Sequence, residues 1–128
     1  MEFSEPKGIY LQIADQIRER ILRGEWKTGE RIPSIRELAV ELGVNPNTVT
    51  KSYQKLLERE LISNRRGRGY FVSENAAERA LNDMKEEFMR DELPRILGAM
   101  RLLGIGMEEI AGPLSRSGTL EHKGDDAA

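Results

Sequence analysis

The sequence predicts a mainly α-helical chain with one small β-hairpin. Apolar residues recur at every third or fourth position over most of the 128 residues, which is the spacing of a helix face. A tight turn rich in glycine, asparagine and proline, "GVNPNT" at 43–48, joins two of these helical stretches. Two short β-prone runs then flank the arginine- and glycine-rich segment "NRRGRG" at 64–69.

The first helix is expected from about residue 9 to residue 24. Isoleucine stands at positions 9, 13, 17 and 21, which makes one face apolar, and "RGEWKTGE" at 23–30 then breaks the pattern with two glycines. The link at 31–34 should be extended, because Pro33 disfavours a helical conformation in the residue before it.

A second, short helix is expected after Ser34. Ser34 and Glu37 form the S-x-x-E pattern of a capping box, in which each side chain binds a backbone N–H of the first turn. Gly43 should end this helix. Its apolar face consists of Ile35, Leu38, Ala39 and Leu42.

A third helix begins almost at once and is expected to run to about Glu60. Asn45 is a suitable N-cap, and Pro46 suits the first helical position, where its missing N–H costs nothing. Two helices joined by so short a turn are typical of a helix-turn-helix unit. The inward side of the third helix consists of Val49, Tyr53, Leu56 and Leu57.

The runs Leu61–Ser63 and Tyr70–Val72 are predicted to form a hairpin with arginines and glycines at its tip. A helix, a helix-turn-helix unit and a hairpin, in this order, make up a winged helix-turn-helix domain, which we expect over residues 1–73. About 70 residues are enough to support one hydrophobic core.

Residues 74–116 are predicted to form a short helical dimerisation region. Pro94 should kink or break its long helix, and a last short helix is expected at about 107–112. Two subunits should pair through a one-sided apolar stripe, because such a stripe is poorly suited to water. The stripe consists of Leu81, Met84, Phe88, Leu93, Ile96, Leu97, Met100 and Leu103. The tail at 117–128 is expected to be disordered.

Composition argues against several classes of function. The chain has no cysteine and one histidine, His122 in the polar tail, so we expect no enzyme, no metal site and no cofactor. It has no apolar run of membrane-spanning length and no secretory signal, which indicates a cytoplasmic protein. Residues 1–72 hold 13 Lys+Arg against 10 Asp+Glu, whereas residues 73–128 hold 7 against 12. This asymmetry hints at a basic binding part joined to an acidic part.

The outward side of the third helix is predicted to read base edges in the major groove of double-stranded DNA. Asparagine and glutamine can bind adenine through two hydrogen bonds, and a threonine methyl group can contact thymine. Asn47, Thr48 and Thr50 are placed for this, with Lys51 on the same outward side. The alternative is an ordinary solvated helix surface.

The hairpin tip is predicted to contact phosphates or the minor groove beside that helix. Arginine binds phosphate oxygens in pairs, and glycine permits positive φ and a close approach of the backbone. The tip residues are Asn64, Arg65, Arg66, Gly67, Arg68 and Gly69. Arg36, near the start of the second helix, is a further candidate for a phosphate contact. Arginines that only keep the protein surface soluble are the alternative for both places.

Several linked segments together resemble the N-terminal winged helix of the GntR family of bacterial transcription regulators: "IYLQIADQI", "GERIPSIRELA", "LGVNPNTV", "YQKLLERELI" and "RRGRGYFV". The likeness covers roughly residues 8–73, and the helical remainder is similar to the C-terminal region of the YtrA-type subfamily. Members bind operator DNA as dimers and usually repress transcription. We therefore predict a DNA-binding regulator, a repressor, that binds a palindromic operator as a homodimer.

The resemblance implies DNA contacts at matching positions of this chain. They fall on Arg36, Asn45, Asn47, Thr48, Thr50, Arg66, Gly67, Arg68 and Gly69. Many members have arginine where this chain has Pro46 and Thr50, which favours an operator read more through adenine and thymine. For Asn45, a role as helix cap alone stays open.

Two further points stay open at this stage. A winged helix can also serve as a protein-protein interaction module that binds no DNA, and the arginines would then meet an acidic protein surface. A small-molecule effector of unknown identity could bind at the dimer interface, although an apolar stripe is more often plain interface.

Overall fold

The computed structural model describes residues 8–122, which fall into two compact units that divide between Lys85 and Glu86. The sequence placed the boundary at residue 73, before the helix that follows the hairpin. Ala76 and Ala80 of that helix are fully buried in the core of the first unit, which explains why the unit extends past the hairpin.

The first unit has the predicted helices and hairpin. In chain order its elements are α1 (Ile9–Leu22), α2 (Ile35–Leu42), α3 (Pro46–Glu58), β1 (Ile62–Arg65), β2 (Gly69–Val72) and α4 (Ala76–Glu87). The first and third helices end slightly earlier than expected, and both strands extend further toward the tip. We call Ile62–Val72, the two strands and their turn, the wing.

Local signals fix the start and end of α2. The backbone N–H of Glu37 donates to Ser34 Oγ at 3.0 Å, and the backbone N–H of Ser34 donates to Glu37 Oε1 at 2.8 Å, which completes the predicted capping box. The hydrogen bond from the Ser34 backbone holds the pKa of Glu37 below its ordinary value of 4.5, and the positive charge of Arg31 adds to this effect. Gly43 ends the helix with a φ of +68°, in the left-handed region that favours glycine.

The core of the first unit is built by α1, α2, α3, the wing and the start of α4. α1 presents Ile13, Ile17 and Ile21 to α3, where Val49, Tyr53 and Leu56 are buried as predicted. Leu57, also predicted to point inward, is only half-buried, and Ile9 of α1 and Leu42 of α2 are 46% and 39% exposed. The core residues are Ile13, Ala14, Ile17, Ile21, Trp26, Ile32, Leu38, Ala39, Val49, Tyr53, Leu56, Leu61, Ile62, Val72, Ala76 and Ala80.

The segment before α2 joins the sheet. β1 and β2 are antiparallel, with Arg65 opposite Gly69 nearest the turn. On the other side of β2, the N–H of Ile32 donates to the carbonyl of Tyr70 and the N–H of Val72 donates to the carbonyl of Glu30, both at 2.9 Å. The extended link predicted at 31–34 therefore begins with an isolated β-bridge between Arg31 and Phe71, and β2 accepts and donates hydrogen bonds along both edges.

In the second unit, α4 passes into a π-helical turn, Phe88–Glu92, which is followed by α5 (Leu93–Leu103) and α6 (Met107–His122). The N–H of Leu93 donates to the carbonyl of Phe88, five residues earlier, instead of four. Pro94 lies in the first turn of α5. The helix interruption that was expected at Pro94 is therefore the π-helical turn immediately before α5. Proline has no N–H to donate, so it fits where the regular four-residue hydrogen bonding is already interrupted.

The last helix is longer than expected. It was predicted to end near residue 112, but it continues through Pro113 to His122, although an interior proline removes its own N–H from the helical ladder and crowds the carbonyl four residues earlier. The disorder expected from residue 117 is therefore wrong as far as His122. The rest of that predicted tail, residues 123–128, lies outside the described residues. Over residues 8–122, no helix is long and apolar enough to cross a membrane.

Candidate nucleic-acid interface

α3 divides its residues into a buried side and an exposed side. Val49, Tyr53 and Leu56 are buried in the core, whereas Asn47 and Lys51 are exposed on the outside. Thr48 and Thr50 are half-buried at the flanks. The residues predicted to read bases therefore lie together on the first two turns of the outward side.

Asn45 acts as the cap of α3. Its Oδ1 accepts a hydrogen bond from the backbone N–H of Asn47 at 2.7 Å, which satisfies one of the free N–H groups of the first turn. The side chain of Asn47 itself is exposed and forms no hydrogen bond with residues 8–122. Asn47 thus has both amide groups available for an external partner, whereas the carbonyl group of Asn45 is already engaged.

Two other side chains of α3 have internal contacts. The Thr50 hydroxyl donates to the carbonyl of Pro46 at 3.1 Å, so its proton is engaged and its methyl group is the simpler group to offer to a partner. The Lys51 ammonium lies 5.9 Å from the ring centroid of Tyr10, near the outer limit of a cation-π contact.

The tip of the wing is a tight turn built on two glycines. The backbone N–H of Arg68 donates to the carbonyl of Arg65 at 2.8 Å and closes the turn. Gly67 and Gly69 have φ values of +76° and +116°, which side chains with a Cβ rarely adopt. The turn therefore displays Arg66 and Arg68 at its apex, where both are exposed.

Arg65 differs from the other two arginines of the wing. Its guanidinium lies 4.4 Å from the centroid of the Phe71 ring, within the range of a cation-π contact. Phe71 thus supports the side chain of Arg65 on the outer face of the sheet.

The charges of this surface are unbalanced. Ion pairs engage most other basic residues of the first unit, for example Arg23 with Glu19 and Lys55 with Glu58. In the part of the chain that the structure describes, no ion pair engages the cations that the sequence singled out, which are Arg36, Lys51, Arg65, Arg66 and Arg68. Because unpaired cations are free to bind an anion, the arrangement suits a polyanionic partner.

Arg36 stands apart from the wing, in the first turn of α2. It is exposed and follows Ser34 and Ile35 at the end of the helix where the backbone N–H groups carry a partial positive charge. This position fits the predicted phosphate contact.

One arginine near the wing was missed in the sequence. The Arg31 Nε donates to the carbonyl of Arg68 at 3.2 Å, although the two residues are 37 positions apart. The alternation of Arg31 with the buried Ile32 indicates that Arg31 faces outward. That signal could not reveal the contact, because only the pairing of this segment with β2 brings Arg31 to the wing.

The described residues offer no sign of a metal centre. No group of three or more histidine, cysteine, aspartate or glutamate side chains within residues 8–122 is arranged to hold a metal ion.

Comparison with known proteins agrees with this geometry. The family model described as "Bacterial regulatory proteins, gntR family" matches residues 9–72. The HTH-type transcriptional regulator YhcF of Bacillus subtilis is 38% identical over 109 residues, which cover 85% of this chain and 88% of YhcF. The HTH-type transcriptional repressor YtrA of the same organism is 37% identical over 102 residues, 80% of this chain and 78% of YtrA.

A solved structure shows the same fold over nearly the whole chain. A putative transcriptional regulator of the GntR family from Bacteroides thetaiotaomicron superposes with a TM-score of 0.73 at 38% sequence identity, covering 90% of this chain and 100% of the other.

Proposed function

Since the chain belongs to the GntR family of bacterial transcription regulators, we propose that it binds a palindromic DNA operator as a homodimer and represses transcription from it. The chain is a regulator and not an enzyme. The proposed site of action is the cytoplasm, where bacterial operators lie.

The observation that carries the proposal is that one unit has both an exposed polar side of α3 and a set of exposed cations without ion pairs to any residue in 8–122. α3 offers Asn47 and Thr48 to base edges, while Arg66 and Arg68 lie on the wing as candidates for phosphate contacts or the minor groove. An acidic protein surface would also bind the cations, but the bidentate match between an asparagine amide and an adenine edge is specific to DNA.

Core contacts hold α3 and the wing together. The rings of Tyr53 in α3 and Tyr70 in β2 meet edge to face, with centroids 4.9 Å apart and planes at 81°. The spacing between the base-reading helix and the phosphate-binding turn is therefore fixed before DNA binds, which lowers the entropy cost of binding.

The homodimer is supported by apolar residues of the second unit. In residues 86–117 no side chain is buried, although the sequence there is rich in leucine and methionine. Of the predicted stripe, Phe88 is 45% exposed, Ile96 43%, Leu97 39% and Leu103 67%, while Leu93 and Met100 are half-buried. In the first unit, Leu81 is 41% exposed and Met84 is half-buried. A second copy of the chain would remove such side chains from water.

Repression is supported by the relatives, because two of them from Bacillus subtilis, YtrA and NagR, are named transcriptional repressors. A protein that covers a promoter blocks transcription without further chemistry. The proposed repression needs no cofactor. A small-molecule effector that releases the protein from DNA would be an addition to this proposal.

The test is a selection of bound duplexes from a random pool, carried out with the whole chain. We expect two inverted half-sites with centres about 10 bp apart, or a multiple of one helical turn, because two α3 helices of a dimer enter successive major grooves. Affinity should fall with salt at a log–log slope of about −0.9 for each phosphate neutralised. No enrichment combined with a flat salt response would refute DNA binding and favour a protein-binding module. A single half-site would refute the dimer alone.

A further inference from the structure

We propose that Arg31, which lies outside the hairpin, is a working part of the wing: its guanidinium holds the turn in place and contacts the DNA backbone. This inference rests on the proposed DNA binding, and it adds a residue that the helix-turn-helix pattern does not indicate.

The first step is the position of Arg31 on the sheet. Arg31 pairs with Phe71 of β2, while Ile32 beside it points into the core and is 1% exposed. Residues two apart on a strand share a face, so Arg31, Phe71 and Gly69 lie on the same outward face. Arg65, opposite Gly69, belongs to that face too. The outer face of the sheet therefore carries one arginine on each side of β2.

The second step is the contact with the turn. Arg31 Nε donates to the carbonyl of Arg68 at 3.2 Å. The backbone N–H of Arg68 closes the turn by donating to the carbonyl of Arg65. Arg68 is thus held from two sides, through its N–H by β1 and through its carbonyl by Arg31. The side chain that should meet DNA extends from a backbone that Arg31 fixes.

The third step is the space beside Gly69. A Cβ at this position would lie 3.0 Å from Arg31 Nε and 3.7 Å from its Cζ, so the guanidinium lies directly against the bare backbone. Gly69 therefore serves two purposes: it permits a φ of +116°, and it leaves room for the guanidinium of Arg31.

The fourth step is charge. Arg31 is exposed and forms no ion pair with any residue in 8–122. Its field lowers the pKa of Glu37, but that carboxylate accepts a hydrogen bond from the backbone of Ser34. Because only Nε is used to hold the turn, the two terminal nitrogens remain available, and an arginine fork can bind two phosphate oxygens at once.

The experiment measures binding of the whole chain to a fluorescent duplex of mixed sequence, roughly 30 bp or three helical turns long, over a range of KCl concentrations. Arg31→Gln should weaken binding and reduce the log–log salt slope by about 0.9 per subunit, roughly 2 for a dimer. Arg68→Ala is the positive reference and should do the same. Arg23→Gln, which removes the same charge from the end of α1, is the matched control and should change neither quantity.

Arg31→Lys separates the two roles. Lysine keeps the charge but cannot hold the carbonyl of Arg68 and present a fork at the same time, so we expect the wild-type slope with an affinity between those of wild type and Arg31→Gln. The proposed phosphate contact would be overturned if Arg31→Gln had the same salt slope as the control Arg23→Gln while Arg68→Ala still had a reduced slope. If the wild-type chain showed no salt-dependent binding at all, the proposed function would fail instead.

Gly69→Ala tests the hold on the turn. The added methyl group should displace the guanidinium, so this change should cost several-fold in affinity in the wild-type chain and clearly less in the Arg31→Gln background. Thermal unfolding of each variant verifies that it is folded. Equal losses in the two backgrounds would mean that Gly69 acts through its φ alone, and would overturn this part of the proposal.

Discussion

The hydroxyl of Tyr53, in the middle of α3, donates a hydrogen bond to the carbonyl oxygen of Pro33 at 2.6 Å. Tyr53 is 1% exposed, and its ring also meets the edge of Tyr70 in β2. One buried side chain thus connects α3 with the segment that leads into α2 and with the wing. Three parts of the proposed DNA surface depend on it for their mutual position.

Replacing Tyr53 with phenylalanine should destabilise the first unit without removing its core. The ring stays in place, but the Pro33 carbonyl loses its partner in a partly buried position, so we expect the free energy of unfolding to fall by about 1–2 kcal/mol. Urea unfolding followed by circular dichroism measures this. Tyr10→Phe, at a half-buried tyrosine, is the control and should change stability by less than about 0.5 kcal/mol. Equal stability of wild type and Tyr53→Phe would show that the hydrogen bond contributes nothing net.

The same tyrosine should make stability depend on pH in alkali. Burial, with a smaller contribution from Tyr70, raises the pKa of Tyr53 well above its ordinary value of 10.0. The unfolded chain therefore releases this proton at a lower pH than the folded chain, so the stability contributed by the neutral form is complete below pH 10 and declines above it. Urea midpoints measured from roughly pH 9 to pH 11 should fall more steeply in wild type than in Tyr53→Phe. Parallel curves would contradict the raised pKa.

Replacing Asn47 with alanine should relax the preference at one operator position. Loss of a bidentate contact to adenine should reduce the binding free energy that favours this base over the others by about 1–3 kcal/mol. The salt slope should stay unchanged because no charge is removed. The measurement compares binding to the selected operator with binding to its single-base variants. Gln54→Ala, further along the same side of α3, is the uncharged control and should have a smaller effect. An intact preference in Asn47→Ala would show that another residue reads that base.

Replacing Phe88 with aspartate should give monomers. A charge on this exposed apolar residue opposes burial against a second copy, so we expect half the wild-type mass in light scattering and the loss of paired half-sites. Leu81→Asp should act in the same direction. Val40→Asp alters a residue of α2 that is 79% exposed and should leave the mass unchanged. Dimers in both the Phe88 and the Leu81 variants would place the interface elsewhere.

Much of the fold was predictable because its signals are local. The capping box of Ser34 and Glu37 and the cap at Asn45 each involve residues within three positions of each other, and all are present in the structure. Amphipathic spacing was enough to predict the buried sides of α1 and α3, and the hairpin followed from its glycines.

Contacts between distant segments were not predictable in the same way. The pairing of residues 29–32 with β2 links positions about 40 apart, and no residue type in "GERI" signals it. Arg31 was missed for this reason. The boundary between the units was also hidden, because alanines such as Ala76 and Ala80 suit an exposed helix as well as a core. At the chain end, the helix predicted to stop near residue 112 continues past Gly112 and Pro113 as α6.

The π-helical turn at Phe88–Glu92 determines how many residues can be deleted there without changing the direction of the side chains that follow. In an ordinary α-helix each residue advances by about 100°, so five steps from Phe88 to Leu93 would leave the two side chains roughly 140° apart. A π-helical turn contains more residues than an α-helical turn, so it takes up the extra residue and reduces the angle between the side chains of Phe88 and Leu93. Loss of one residue from the turn would leave the four-residue step of a regular helix and preserve the phase of later side chains. Loss of two would rotate everything after the turn and offer a different set of groups to any partner.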